Sequence, residues 1–206
     1  MMPLGFARTA SRSTGCRPVE TTTMTAIYLL RHGQADYEPV HERQWPGSMA
    51  DLAPLSPAGF AQAATAASLL AEVAASALVS SPFTRTMQTA SIVSCRLGLR
   101  IQVEFDLHEW VPDDSFRWHT HAEVRAFLGD FDRCGGEWPA GQRRPWEPLS
   151  SVRARASAAL RRAVRNMPAD GALIAVCHEM VIRSLTGQPE TGTGEFRRIE
   201  SDQLGS

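Results

Sequence analysis

Arg31-His32-Gly33 follows directly on a short apolar run, Ala26-Ile27-Tyr28-Leu29-Leu30. Arg85 follows a second such run, Ala77-Leu78-Val79, inside Ser80-Ser81-Pro82-Phe83-Thr84-Arg85-Thr86-Met87-Gln88-Thr89-Ala90. His178-Glu179 closes a third run, Ala172-Leu173-Ile174-Ala175-Val176-Cys177, and Leu107-His108-Glu109 follows a strand-like stretch over 99–105. These residue types suit one chemistry, the transfer of a phosphoryl group. A phosphomonoester is a dianion, and arginine presents paired N–H donors that fit its oxygens in a way a point charge does not. Neutral His32 can attack phosphorus through a ring nitrogen, and nearby positive charge favours that neutral form. His178, if protonated, adds a third positive donor. A carboxylic acid, Glu109 or its rival Asp106, can protonate the leaving alkoxide and then deprotonate the attacking water. None of these steps requires a metal or other cofactor.

The elements that position these residues are legible in outline. Each apolar run reads as a buried β-strand, and in open α/β sheets ligands bind at the strands' carboxyl ends. Ser56 is an expected N-cap with Pro57 at N1, opening an Ala-rich helix over 57–73. A second helix is expected over 82–96, with Pro82 near its first turn and Arg85 on that turn, close to the sheet's carboxyl edge. Segment 34–54 reads as a loop. Between 110 and 148 the pattern loosens, with Trp110, Trp118, Trp138 and Trp146 among Pro and Gly and a short helix near 122–131. Segment 149–166 is an Arg-rich helix, whose arginines read as a solvated face. Residues 196–200 read as an edge strand. The alternation implies a three-layer αβα sandwich with a mainly parallel central sheet.

In this order the motifs resemble the histidine phosphatase superfamily, the phosphoglycerate mutase-like proteins. The matching pieces are Leu30-Arg31-His32-Gly33-Gln34, Leu55-Ser56-Pro57-Ala58-Gly59, the segment from Ser81 to Ala90, Leu107-His108-Glu109 and Cys177-His178-Glu179. The resemblance implies catalytic His32, Glu109 and His178, phosphate-binding Arg31, Arg85 and His178, and a substrate contact at Gln34. It favours Glu109 over Asp106 as the acid. It also implies a metal-independent, histidine acid phosphatase-type phosphomonoesterase acting through phosphohistidine on a small phosphorylated metabolite. Mutase-type transfer, a protein phosphohistidine phosphatase and a non-catalytic phosphate binder are the alternatives. Mutases of this kind carry Ser or Thr and then Asn where Ala35 and Glu38 stand, Gly where Glu179 stands, and a longer insertion after the acid. These departures favour a phosphatase. Glu179 is expected either to weaken phosphate binding or to hold His178 protonated. The family continues into a further strand where this chain reaches Ser206.

With 206 residues the chain can bury a core without staples, and 21 basic residues nearly balance 22 acidic ones. No basic tract points to nucleic acid, and no apolar stretch approaches the roughly 18 residues of a membrane span. Cys16, Cys95, Cys134 and Cys177 show neither paired nor metal-ligand spacing, which suits reduced thiols in the cytoplasm. Cys177 reads as a small core residue. His119 and His121 could face one metal from a strand, but a cap loop is the preferred reading. Residues 1–24 read as a disordered leader or an over-long start rather than a transit peptide. Residues 25–206 form the expected single domain, with a substrate cap near 110–148. A homodimer is left open.

Overall fold

The computed structural model describes residues 24–118, 120–168 and 171–205. Nearly all of the expected leader, Cys16 and His119 therefore lie outside the described residues. In chain order the elements are β1 (Ala26–Arg31), α1 (Glu38–Glu42), a 3-10 helix (Gly47–Leu52), α2 (Pro57–Leu70) and β2 (Ala75–Ser80). Next come α3 (Thr84–Leu97), β3 (Ile101–Val103), a 3-10 turn (Phe105–Leu107) and α4 (His121–Arg133). The chain continues with α5 (Leu149–Arg165), β4 (Ala172–Cys177), α6 (Glu179–Thr186) and β5 (Phe196–Glu200), then a last 3-10 turn (Ser201–Leu204).

The sheet order is β3-β2-β4-β1-β5, parallel throughout except for β5, which runs antiparallel to β1 at the edge. All six residues of β4 are buried, as a strand covered on both faces requires. Alternation sorts the side chains between two cores. Ile27, Leu29, Leu173 and Ala175 pack with Val152, Ala156 and Leu160 of α5 and with Val181 and Ile182 of α6. Leu30, Leu78, Ile174 and Val176 pack with Ala66, Ala67 and Leu70 of α2 and with Ala90 and Val93 of α3. The result is the expected three-layer sandwich around a mixed, mainly parallel sheet.

Local chemistry sets the boundaries. The Ser56 hydroxyl accepts from the Gly59 N–H at 3.1 Å, with Pro57 beginning α2. Gly98, at φ 70°, ends α3 in the left-handed region. A capping box between Thr120 and Glu123 starts α4. Several expectations change. Helix α3 begins at Thr84 behind an extended Phe83, so Pro82 lies before the helix. Strand β3 keeps only three residues, because it pairs on one side alone. Segment 34–54 contains α1 and a 3-10 helix, both too short to show a period. The arginines of α5 are not simply solvated: Arg153 donates to the Ser184 carbonyl at 2.8 Å and Arg161 to that of Gly205 at 2.7 Å. Their carbon stems cross the surface while the forks bind chain ends that local sequence does not reveal.

Candidate active site

Three adjacent strands, β2, β4 and β1, end side by side, and their backbones are stitched together there. The His32 N–H donates to the Cys177 carbonyl at 3.1 Å and the Ser81 N–H to that of Val176 at 3.0 Å. His32 and His178 consequently face each other, ring centroids 5.2 Å apart. Arg85, on the first turn of α3, reaches both: Nε lies 3.2 Å from His32 Nε2 and Nη2 lies 3.4 Å from His178 Nδ1. His32, Arg85 and His178 are all buried.

The hydrogen bonds fix the protons. His32 Nδ1–H donates to the Gly33 carbonyl at 2.7 Å, which leaves the Nε2 lone pair directed at the guanidinium of Arg85. Burial first, then the Arg85 charge, lowers the His32 pKa to about 3, so the ring is neutral at physiological pH. Burial and Arg85 likewise hold His178 well below the ordinary histidine range. Its Nε2–H is taken by the Ser81 hydroxyl at 2.8 Å. The expectation that Glu179 could hold His178 protonated is overturned. Glu179 pairs instead with Arg31, Oε2 to Nη2 at 2.9 Å, and Arg31 Nη1 donates to the Thr191 carbonyl at 2.6 Å. Among the described residues, Arg31 Nε is buried without a hydrogen-bond partner. A buried donor of this kind is suited to an acceptor such as a phosphate oxygen.

Glu109 is placed less directly than a strand-end residue. It follows the 3-10 turn after β3, and Arg155 of α5 fixes that turn by donating to the carbonyls of Asp106 and His108, both at 2.7 Å. Glu147 in turn orients Arg155 at 2.7 Å. Glu109 Oε1 accepts from the Trp110 N–H at 2.8 Å, and burial raises its carboxyl pKa. Asp106 faces away, paired with Arg162 at 2.8 Å and outside the cavity lining. The Gln34 side chain accepts through Oε1 from the Ser56 hydroxyl at 3.1 Å.

Next to these residues opens a cavity of about 1610 Å³, whose lining includes Arg85, Glu109, Glu179 and much of segment 110–148 but not Arg31, His32 or His178. Two lining residues had no signal in the sequence. Asp51, in the 3-10 helix after α1, lies 3.9 Å from Arg85 Nη1, and burial raises its carboxyl pKa to about 6. His41 and His121 meet Nε2 to Nε2 at 2.7 Å at the cavity wall, so one of those nitrogens donates and the other accepts. His121 thus belongs to a contact between α1 and α4. Among the described residues, no group of three or more His, Cys, Asp or Glu is arranged to hold a metal. None of their helices is long and apolar enough to cross a membrane. Cys177 is buried with its thiol pushed well above the usual range, which removes it as a nucleophile.

Comparison with solved structures shows the same fold in several proteins. A native mycobacterial glucosyl-3-phosphoglycerate phosphatase superposes with a TM-score of 0.66 at 25% identity, covering 86% of this chain and 90% of that one. Bacillus stearothermophilus YhfR gives 0.66 at 23% identity, over 84% and 90% of the two chains. A phosphoglycerate mutase from Bacillus anthracis gives 0.61 at 16%, over 87% and 88%. No curated protein matches significantly. The family model of the histidine phosphatase superfamily, branch 1, matches residues 27–205. The chain belongs to that superfamily and is a hydrolase of the histidine phosphatase type.

Proposed function

We propose that the protein hydrolyses a small phosphomonoester through a phosphohistidine at His32. The observation that carries this reading is the state of the His32 ring, which has its proton on Nδ1 and its Nε2 lone pair accepting from Arg85 Nε–H at 3.2 Å. An incoming phosphate takes over the donors that Arg85 now turns to the two histidines, and it finds the unpartnered Arg31 Nε. Its negative charge raises the proton affinity of His178, which is neutral in the empty site. The Nε2–phosphorus bond then forms as the ester P–O bond breaks, and Glu109 gives its proton to the departing alkoxide. Water attacks the phosphohistidine, Glu109 takes the proton back, the N–P bond breaks, and inorganic phosphate leaves. Segment 110–148 acts as the substrate cap over a single domain. Three free thiols fit a reducing compartment such as the cytoplasm.

The test is a rapid quench with a 32P-labelled ester. The wild-type protein should yield an acid-labile, base-stable phosphoprotein, and His32→Ala should yield none while keeping its fold by circular dichroism. Near-full turnover by His32→Ala would remove His32 from the mechanism.

A further inference from the structure

We infer that the alcohol half of the substrate is an uncharged, ring-bearing group seated against Phe116 and Trp118. This rests on the phosphomonoesterase reading and names its substrate class. The first observation is conformational. Two described residues other than glycine have positive φ, Gln44 at 51° and Phe116 at 57°, and both line the cavity. For a bulky aromatic that conformation is costly and persists only where its surroundings impose it. Here they do. The Asp113 carboxylate accepts from the Ser115 N–H at 3.0 Å and from its hydroxyl at 2.6 Å, and the Phe116 N–H donates to the Asp113 carbonyl at 3.0 Å. The strained turn does not send its ring into the core: Phe116 remains 57% exposed on the cavity wall.

The second observation is rigidity. The Phe116 ring lies 5.8 Å from that of Trp118 at 35°, so the exposed Phe116 face is backed by a buried Trp118. Trp118 is fixed against the 3-10 helix, its carbonyl accepting from the Gly47 N–H at 3.0 Å. The approach is so close that a Cβ on Gly47 would fall 2.0 Å from Trp118 Cδ1. That helix also carries Asp51, which faces Arg85, so the aromatic pair is held at a set distance from the phosphate end. Aromatic faces of this kind receive flat or ring-shaped apolar groups.

The third observation is charge. Besides Glu109, the cavity is lined by Asp51, Asp114, Asp132, Glu147, Glu179 and Glu190. The arginines on its described lining are Arg85 and Arg183, and each already faces a carboxylate, Asp51 at 3.9 Å and Asp132 at 3.5 Å. Four of these carboxylates are themselves ion-paired, Asp114 with Arg143, Asp132 with Arg183, Glu147 with Arg155 and Glu179 with Arg31, so a carboxylate on the substrate would find no arginine on that described wall without a carboxylate partner.

Three alkyl phosphates with similar leaving groups test the inference: 2-phenylethyl phosphate, glycerol 3-phosphate and 3-phosphoglycerate. The expected order of kcat/KM is the order given, with at least tenfold between first and last. Phe116→Ala should lose about tenfold on 2-phenylethyl phosphate and stay within twofold on glycerol 3-phosphate. Phe116→Gly should show the same loss, with thermal stability equal to or above that of the parent. Better turnover of 3-phosphoglycerate than of 2-phenylethyl phosphate would overturn the inference while leaving a phosphatase in place. Equal losses on both neutral esters would do the same, since that is the signature of a merely structural phenylalanine. No turnover of any ester would overturn the phosphomonoesterase reading and this inference with it.

Discussion

Glu109 and Asp106 are three residues apart, yet the fold gives them opposite environments. Glu109 lines the cavity with its pKa raised by burial, which favours the protonated form that a leaving alkoxide requires. Asp106 spends its charge on Arg162. Aryl phosphates leave as stable anions and need little protonation, whereas alkyl phosphates need it. Glu109→Gln should therefore lose at least tenfold more kcat on an alkyl phosphate than on p-nitrophenyl phosphate, and Asp106→Asn should show no such split. A split confined to Asp106→Asn would transfer the acid role. Sequence alone brought His32, Arg85 and His178 into view because each sits at or just beyond the end of an apolar strand. It could not reveal Arg155, Asp51 or Ser81, whose partners lie on other elements of the chain. The arginine that fixes the acid's turn reads locally like any exposed helix residue.

At the scale of elements, β1 and α2 are locked by a backbone approach. A Cβ on Gly33 would fall 2.3 Å from the Gly59 carbonyl oxygen, and one on Gly59 would fall 2.1 Å from that of Gln34. Backbone cannot move aside as a flexible side chain does, so Gly59→Ala must push α2 away from the His32 loop. We expect a loss of about 1–3 kcal/mol in urea unfolding together with lower kcat on aryl and alkyl esters alike. Unchanged stability would show that the helix shifts without resistance. Strands β1 and β4 were legible as apolar runs, α2 from its Ser56 cap with Pro57 at N1, and α5 from its long helical pattern. Helix α6 was not: its eight residues include Val181 and Ile182, and the left-handed Gly187 that ends it gives no warning of where it starts. The cavity wall was the least legible part. Its shape comes from pairings between distant segments, such as His41 with His121 and Gly47 with Trp118.

For the whole molecule, burying neutral histidines ties stability to pH. The folded pKa of His32 is about 3, against an ordinary 6.5, so the unfolded chain takes up the proton first as pH falls. The stability it contributes is present above pH 6.5 and erodes between there and about pH 3. Asp51, raised to about 6, works the other way, gaining its proton first in the folded state, so wild-type stability alone would blur the effect. The comparison with His32→Asn isolates it. Between pH 7.5 and pH 5 the wild type should lose about 2 kcal/mol relative to that variant, measured by urea unfolding at each pH. A constant gap would mean that the ring is not held neutral.

The order β2-β4-β1 has one more consequence. The strands that deliver Ser81, His178 and His32 are the three interior strands of the sheet, each paired on both sides. Their amide hydrogens should exchange with solvent more slowly than those of segment 110–148, whose described residues contribute no strand. The phosphate-binding centre is thus carried by the part of the molecule that should exchange last.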